Sequence, residues 1–339
     1  MLVTLANIFF QHGHRVRVIT LVEKGPLAEQ LLPGIEQLNM QRGFKYNPVV
    51  MHRLLKQLQG FNVVHVHSFY NLRYLWLAKM LFGFNRPVFY HEHFGFRAQQ
   101  QPTFWHKYIL PKTIFISTAA NISDWATAKV GVPANKVFTL QNIIVRQNVP
   151  LVEKKQTGTI QIVLVSNFRR EKNIEFGIQL LQRLNATASL YHLTIIGKPY
   201  QQDYYNMLQQ VIAETGTSSS ITFIHDADNV QKLLPKFDIG LHTSPSESGP
   251  LAVIEYMAQS LPFLAYNTGE VITSIKTELS DCIALSFDTD EWVQKIQRLH
   301  AADKGALQQK LQLAFNNHFS AEAYYRQCLD IYTSGLPAK

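Results

Sequence analysis

Asp238-Ile239-Gly240-Leu241-His242-Thr243-Ser244-Pro245-Ser246-Glu247-Ser248-Gly249-Pro250-Leu251-Ala252-Val253-Ile254-Glu255 is the stretch whose reading decides the architecture of this 339-residue chain. Its first six residues read as a short buried strand, and from Leu251 to Gln259 apolar residues recur on a helical period. A glycine-bearing turn joins them, so the unit is strand, turn, helix. Backbone N–H groups at the start of such a helix have no partner within it and lie at the positive end of its dipole, which suits a phosphate or an oxygen gaining negative charge. Glu247 closes the loop, and Glu255 lies two turns into the helix. That arrangement suits a ligand with phosphate at one end and hydroxyls at the other. Read alone, the same residues also make a surface turn and a solvated helix, since helix starts attract acids.

A second segment has the same grammar. Ile162-Val163-Leu164-Val165-Ser166-Asn167-Phe168-Arg169-Arg170-Glu171-Lys172-Asn173 reads as strand, basic loop and helix start. Lysine and arginine after a strand can neutralise a diphosphate leaving group; by themselves they also make a solvated basic turn. Together, the Glu-x7-Glu pair, the run Glu255-Tyr256-Met257-Ala258 and Leu261-Pro262-Phe263-Leu264-Ala265-Tyr266, and this basic loop resemble the donor site of retaining family 4 glycosyltransferases of the GT-B fold.

That resemblance implies an α/β chain of two Rossmann-like, doubly wound domains facing a cleft, with a C-terminal helix crossing back to the first. It implies transfer of a sugar from a nucleoside diphosphate sugar, such as a UDP or GDP sugar, to a saccharide or lipid-linked hydroxyl acceptor. Anomeric configuration would be retained, the leaving phosphate would assist deprotonation, and no metal or other cofactor is expected. Glu255 would hold the donor ribose and Glu247 the sugar hydroxyls near the anomeric carbon. Ser248, Gly249, Pro250 and Leu251 would cradle the diphosphate with Arg169 and Lys172. The family commonly has arginine where this chain has Asn167, which leaves Arg169 or Arg170 to supply that charge and makes Lys172 the firmer ligand. His91, after the fourth expected strand of the first domain, takes the family's histidine near the donor sugar; a packed histidine is the alternative.

Strands and helices alternate throughout. Arg15 to Thr20, Val63 to His67, Val88 to His91 and Thr113 to Ser117 read as strands of one first parallel sheet, and Ile160 to Val165, His192 to Ile196 and Ile221 to Ile224 belong to a second. The expected domains are 1–150 for the acceptor and 151–319 for the nucleotide sugar, with 320–339 a helix returning to the first. A linker is expected from Arg146 to Thr159, with Pro150 and Glu153-Lys154-Lys155. Residues 1 to 10 read as an amphipathic helix and a poor signal peptide. Since the family opens with a strand and a glycine-rich loop before such a helix, the first sheet is expected to show a gap. A start upstream, another segment in the gap, or a degenerate relative would each account for it.

Two cysteines, Cys282 and Cys328, are too few for a disulfide framework and suit a cytoplasmic protein. Residues 1–150 carry sixteen lysines and arginines against five acids, net +11, whereas 151–339 are net −3. The first domain thus suits an anionic membrane surface on the inner face of a membrane, as a peripheral contact; no recognition motif points to nucleic acid.

Three His-x-His pairs, at His12 and His14, His65 and His67, and His91 and His93, raise a metal-site reading, but no further ligand set completes a hydrolase. Asp226-Ala227-Asp228 matches a metal-binding Asp-x-Asp pattern, yet precedes a helical run where a capping aspartate is expected. A non-catalytic partner of another transferase and a nucleotide-sugar epimerase are the alternative functions.

Overall fold

The computed structural model describes residues 1–23, 25–150, 158–186 and 191–335. The charged part of the expected linker, Glu153-Lys154-Lys155, lies outside the described residues. The chain divides into two compact units, Met1–Asn142 with Ala321–Lys339, and Ile143–Ser320. The division falls earlier than the boundary expected after residue 150, and the final helix belongs to the first unit.

In the first unit the strands are β1 (Arg17–Thr20), β2 (Glu36–Asn39), β3 (Val64–Val66), β4 (Val88–Glu92), β5 (Ile114–Ser117) and β6 (Val137–Thr139). They do not form the one sheet expected. β1 pairs in parallel with β2 alone, while β3, β4, β5 and β6 make a separate parallel sheet in that order. The reason is local: no described strand lies between β1 and β3 to carry the ladder across. The helices Leu2–Gln11 and Ala321–Gly335 pack together through aromatic side chains. Phe9 meets the rings of Tyr325 and Tyr332 at 5.1 and 5.4 Å, and Tyr332 stands edge-on to buried Phe89 at 4.9 Å.

The second unit holds β7 (Ile160–Val165), β8 (Tyr191–Ile196), β9 (Ile221–Ile224), β10 (Ile239–His242), β11 (Phe263–Tyr266) and β12 (Ile283–Ala284). Their order is β12-β11-β10-β7-β8-β9, all parallel. The chain winds outward from β7 to β9, then returns to the other side of β7 and winds away again. Loops leaving β7 and β10 therefore part in opposite directions and open a crevice at the carboxyl ends of these two strands, where doubly wound sheets bind ligands. Consecutive residues of the central strands, such as Ile162, Val163 and Leu164 of β7, are buried together, so both faces of the sheet are covered.

Where the β7–β10 ladder ends, a side chain continues it. The Tyr256 hydroxyl accepts from the Val165 N–H (3.0 Å) and donates to the Leu241 carbonyl (3.1 Å), and its ring is fully buried. Gly240 makes room for it, since a Cβ there would stand 2.7 Å from the ring. Tyr256→Phe should orphan both backbone groups, at a cost of about 1–3 kcal/mol. The expected result is a lower melting temperature with faster amide exchange at Val165; an unchanged melt would show that the bridge contributes nothing.

Candidate active site

The crevice of the second unit is built by two loops tied to each other. After β7, the chain passes through Phe168, fully buried, into a turn of 3₁₀ helix at Arg170–Lys172 and then the helix Ile174–Asn185. This loop runs so close to the end of β8 that a Cβ on Gly197 would lie 1.9 Å from the Ser166 carbonyl oxygen, so only glycine fits there. After β10, Thr243 and Ser244 donate their hydroxyls to the carbonyls of Lys172 (2.9 Å) and Glu171 (2.7 Å). Two short buried side chains thus fix the basic loop against the acidic one.

The ammonium of Lys172 pairs with the carboxylate of Glu247, and His242 Nε2 stands 3.6 Å from the same carboxylate oxygen. The backbone of the acidic loop is held in turn: Glu247 N–H donates to Thr268 Oγ1 (3.2 Å), and Ser248 carbonyl accepts from Glu270 N–H (2.9 Å). Between those anchors Gly269 adopts φ +82°, and a Cβ there would press on the Glu247 carbonyl oxygen at 3.0 Å. The helix Leu251–Ala258 starts at Pro250 with no side-chain cap. Of the four residues expected to cradle a diphosphate, Pro250 has no N–H to give; the N–H groups of this turn belong to Ser248, Gly249, Leu251 and Ala252.

The two glutamates differ electrostatically. Burial disfavours the charge on Glu247, but the nearby His242 ring and the charge and hydrogen bond of Lys172 outweigh it and hold its carboxyl at about 2. Glu255 is half-buried with no ion pair or side-chain hydrogen bond to its carboxyl among the described residues, and burial pushes it up to about 7. Glu247 is a fixed anion matched to a cation. Hydrogen bonds donated to the Glu255 carboxylate would favour its ionised form.

Of the other expected ligands, Arg169 is exposed, 3.8 Å from Glu171 and stacked over Tyr200 at 4.9 Å, and Arg170 pairs with Asp203 at 3.1 Å. The structure therefore brings Lys172 rather than either arginine to Glu247. Asp226 pairs with Lys198 at 3.3 Å, and the following 3₁₀ turn starts at Asn229 without a side-chain cap, so the expected aspartate cap is not formed. Sequence reasoning missed His242, Thr243, Ser244, Thr268 and the Tyr256 hydroxyl. A signal was present, in that polar residues directly continue a buried strand at His242-Thr243-Ser244.

His91 lies in the first unit, almost wholly buried, in a chain of four imidazoles. His65 Nδ1 meets the Tyr332 hydroxyl (2.6 Å), His65 Nε2 lies 3.3 Å from His91 Nδ1, and His67 Nδ1 lies 2.9 Å from His93 Nε2. Burial lowers all four, reinforced by neighbouring imidazoles at His65, His67 and His91 and by the N-terminal ammonium at His93, and takes His65 to about 3 and His93 to about 4, so the rings are neutral at physiological pH. His91 Nε2 is buried with no partner. His65, His67 and His91 each bring a ring nitrogen within 4.8 Å of the others, the described set nearest in chemistry to a metal site. The neighbouring acid, Glu92, is engaged by Tyr90, Arg97 and the Phe94 N–H.

A model of "Glycosyl transferases group 1" matches residues 146–312, and one of "Glycosyltransferase Family 4" matches residues 1–146. The chain belongs to this glycosyltransferase family. Its fold is shared with a glycosyltransferase of Rickettsia africae (TM-score 0.73, 14% identity, 99% of this chain and 94% of that one). It is shared equally with the Anabaena protein Alr3699/HepE in complex with UDP (TM-score 0.75, 15% identity, 98% and 96%). Among curated proteins, the mouse GDP-Man:Man(3)GlcNAc(2)-PP-Dol alpha-1,2-mannosyltransferase is 30% identical over 151 residues, 42% of this chain and 31% of that protein. The chain thus matches about a third of that relative's length.

The glycosyltransferase should carry the mark of its two carboxyls in its pH dependence. Because the folded Glu255 holds its proton up to about 7 rather than the ordinary 4.5, stability falls as pH rises across that window. Glu247 has the opposite sign, its contribution being lost as pH drops from 4.5 towards 2. Urea unfolding of Glu255→Gln should show a gain of up to about 3 kcal/mol at pH 8 and little at pH 4. An equal effect at both pH values would contradict the raised carboxyl.

Proposed function

We propose that this glycosyltransferase moves a sugar from a nucleoside diphosphate sugar to a hydroxyl acceptor with retention of anomeric configuration. The observation that carries the proposal is the Lys172–Glu247 pair and the unpartnered, half-buried Glu255 on one strand, turn and helix at the switch point of the second sheet. Lys172 and the uncapped N–H groups of the Ser248 to Ala252 turn would hold the diphosphate and stabilise the charge that grows as the glycosidic bond breaks. Arg169 would add to it by turning from Tyr200. Glu247, released as Lys172 turns to phosphate, would accept hydrogen bonds from the donor sugar, and Glu255 from the ribose. His91, a neutral imidazole whose Nε2 has no partner among the described residues, would take the role of hydrogen-bonding the donor sugar. Neutralisation by Lys172 and N–H groups leaves no task for a divalent ion on the diphosphate, and the leaving phosphate would take the acceptor proton. UDP in a structural relative and a GDP-mannose donor in a curated one support a nucleotide sugar as the donor class.

The acceptor would be a saccharide or a lipid-linked saccharide of a bacterial surface polysaccharide or glycolipid. The net +11 of residues 1–150 and the exposed Val49, Leu81 and Phe104 suit a peripheral contact with anionic lipid on the cytoplasmic face. No helix among the described residues is long and apolar enough to cross a membrane.

Calorimetric titration with UDP and GDP sugars in EDTA tests the donor site. Micromolar to submillimolar binding should fall at least tenfold in Glu255→Ala and in Lys172→Ala. Absence of binding to either nucleotide would favour a non-catalytic partner, and binding that appears only with added metal would refute the metal-free diphosphate. Turnover of a nucleotide sugar without acceptor would point to an epimerase instead.

A further inference from the structure

β3 and β4 lie side by side in parallel register, with His65 opposite Phe89 and Val66 opposite Tyr90. Side chains alternate along a strand, so His65, His67 and His91 leave the same face of the sheet, where the ladder ends. The final helix covers that face: Tyr332 stands edge-on to Phe89, and its hydroxyl meets His65 Nδ1 at 2.6 Å. The three imidazole centroids form a triangle with sides of 4.5, 5.3 and 5.7 Å. His65 Nε2 and His91 Nδ1 are 3.3 Å apart, long for a hydrogen bond between ring nitrogens. It is, however, the edge of a tetrahedron around an ion bound at about 2.0–2.1 Å, which measures about 3.3–3.4 Å.

We propose that His65 Nε2, His91 Nδ1 and a ring nitrogen of His67 form a site for a first-row transition ion, Zn²⁺ above all, with a water molecule as the fourth ligand. The donors are three nitrogens with no carboxylate among them, since Glu92 is engaged by Tyr90, Arg97 and the Phe94 N–H. Such a set suits zinc, cobalt or nickel and disfavours magnesium and calcium, which require oxygen. Ligation needs a bare Nε2 on His65, whose proton then sits on Nδ1 and is donated to the Tyr332 hydroxyl, the kind of outer hydrogen bond that orients metal-bound histidines. It also needs a bare Nδ1 on His91, which places that proton on the buried, unpartnered Nε2 and leaves an N–H there for the sugar contact proposed above. An entry path exists, because His65 and His67 line a cavity of about 600 Å³ that can also hold the bound water. The third pair, His12 and His14, is spent elsewhere, on Glu322 and Tyr325. The site lies in the first unit and has no part in holding the diphosphate, whose binding is measured in EDTA, so either reading can fail without the other.

Titration calorimetry of the full chain, stripped with EDTA and desalted, tests the site with ZnCl₂ and MgCl₂, and visible absorption tests it with CoCl₂. The expected result is one equivalent of Zn²⁺ bound at micromolar concentration or tighter, no heat from Mg²⁺, and the intense visible bands of four-coordinate cobalt. Tyr332→Phe, which keeps the ring and loses the outer hydrogen bond, should weaken Zn²⁺ by about tenfold to a hundredfold. His67→Gln, at a half-buried ring, should abolish both signals even if a variant of the buried His91 fails to fold, whereas His12→Gln with His14→Gln should change neither. Absence of Zn²⁺ binding at micromolar concentration, cobalt bands of six-coordinate intensity, full binding in His67→Gln, or loss in the His12 and His14 double variant would overturn the proposal.

Discussion

The parting of β7 and β10 at the centre of the second sheet is the constraint on which the rest of the candidate site depends. Two parallel neighbours whose connections wind away in opposite directions cannot share a ladder to the end, so backbone groups are released at their carboxyl ends. Tyr256 closes that opening with one hydroxyl that serves a donor on β7 and an acceptor on β10. Its ring fits only because β10 carries Gly240, and its helix position places Glu255 one residue earlier. Structural bridge and candidate ribose ligand are therefore neighbours on one helix.

From that fixed point, the two loops are matched by polar links of short reach. Thr243 and Ser244 hold the backbone of the basic loop, and Lys172 then meets Glu247 without a long excursion. A pair formed this way sets one cation against one anion inside the crevice. The glutamates are consequently unlike: one is held ionised by its cation, the other is raised by burial with nothing to offset it. The same residue type does two jobs because environment, not identity, sets its charge.

The first unit is organised differently. Its buried imidazoles are neutral and linked ring to ring, anchored by Tyr332 from the final helix. That helix ties the end of the chain to its beginning, where Phe9, His12 and His14 meet Tyr325 and Glu322. Tyr325 and Tyr332 of that helix pack on Phe9 of the opening helix.

The sequence by itself determined the strands β7 to β10, the strand-turn-helix unit around Glu247 and Glu255, and the basic loop at Lys172, because each is written in local periodicity and turn chemistry. It did not disclose β2, whose Glu36-Gln37-Leu38-Asn39 lacks an apolar pattern, nor that Pro250 starts the helix without a donor to give. Only the tertiary structure decided which cation meets Glu247, since Lys172 is 75 positions away and its rivals Arg169 and Arg170 are taken by Glu171, Tyr200 and Asp203. It likewise decided that Glu255 stays unpaired and that the first sheet is split at β1 and β3. Burial and partnership are properties of what the chain brings together, and short-range patterns carry no record of them.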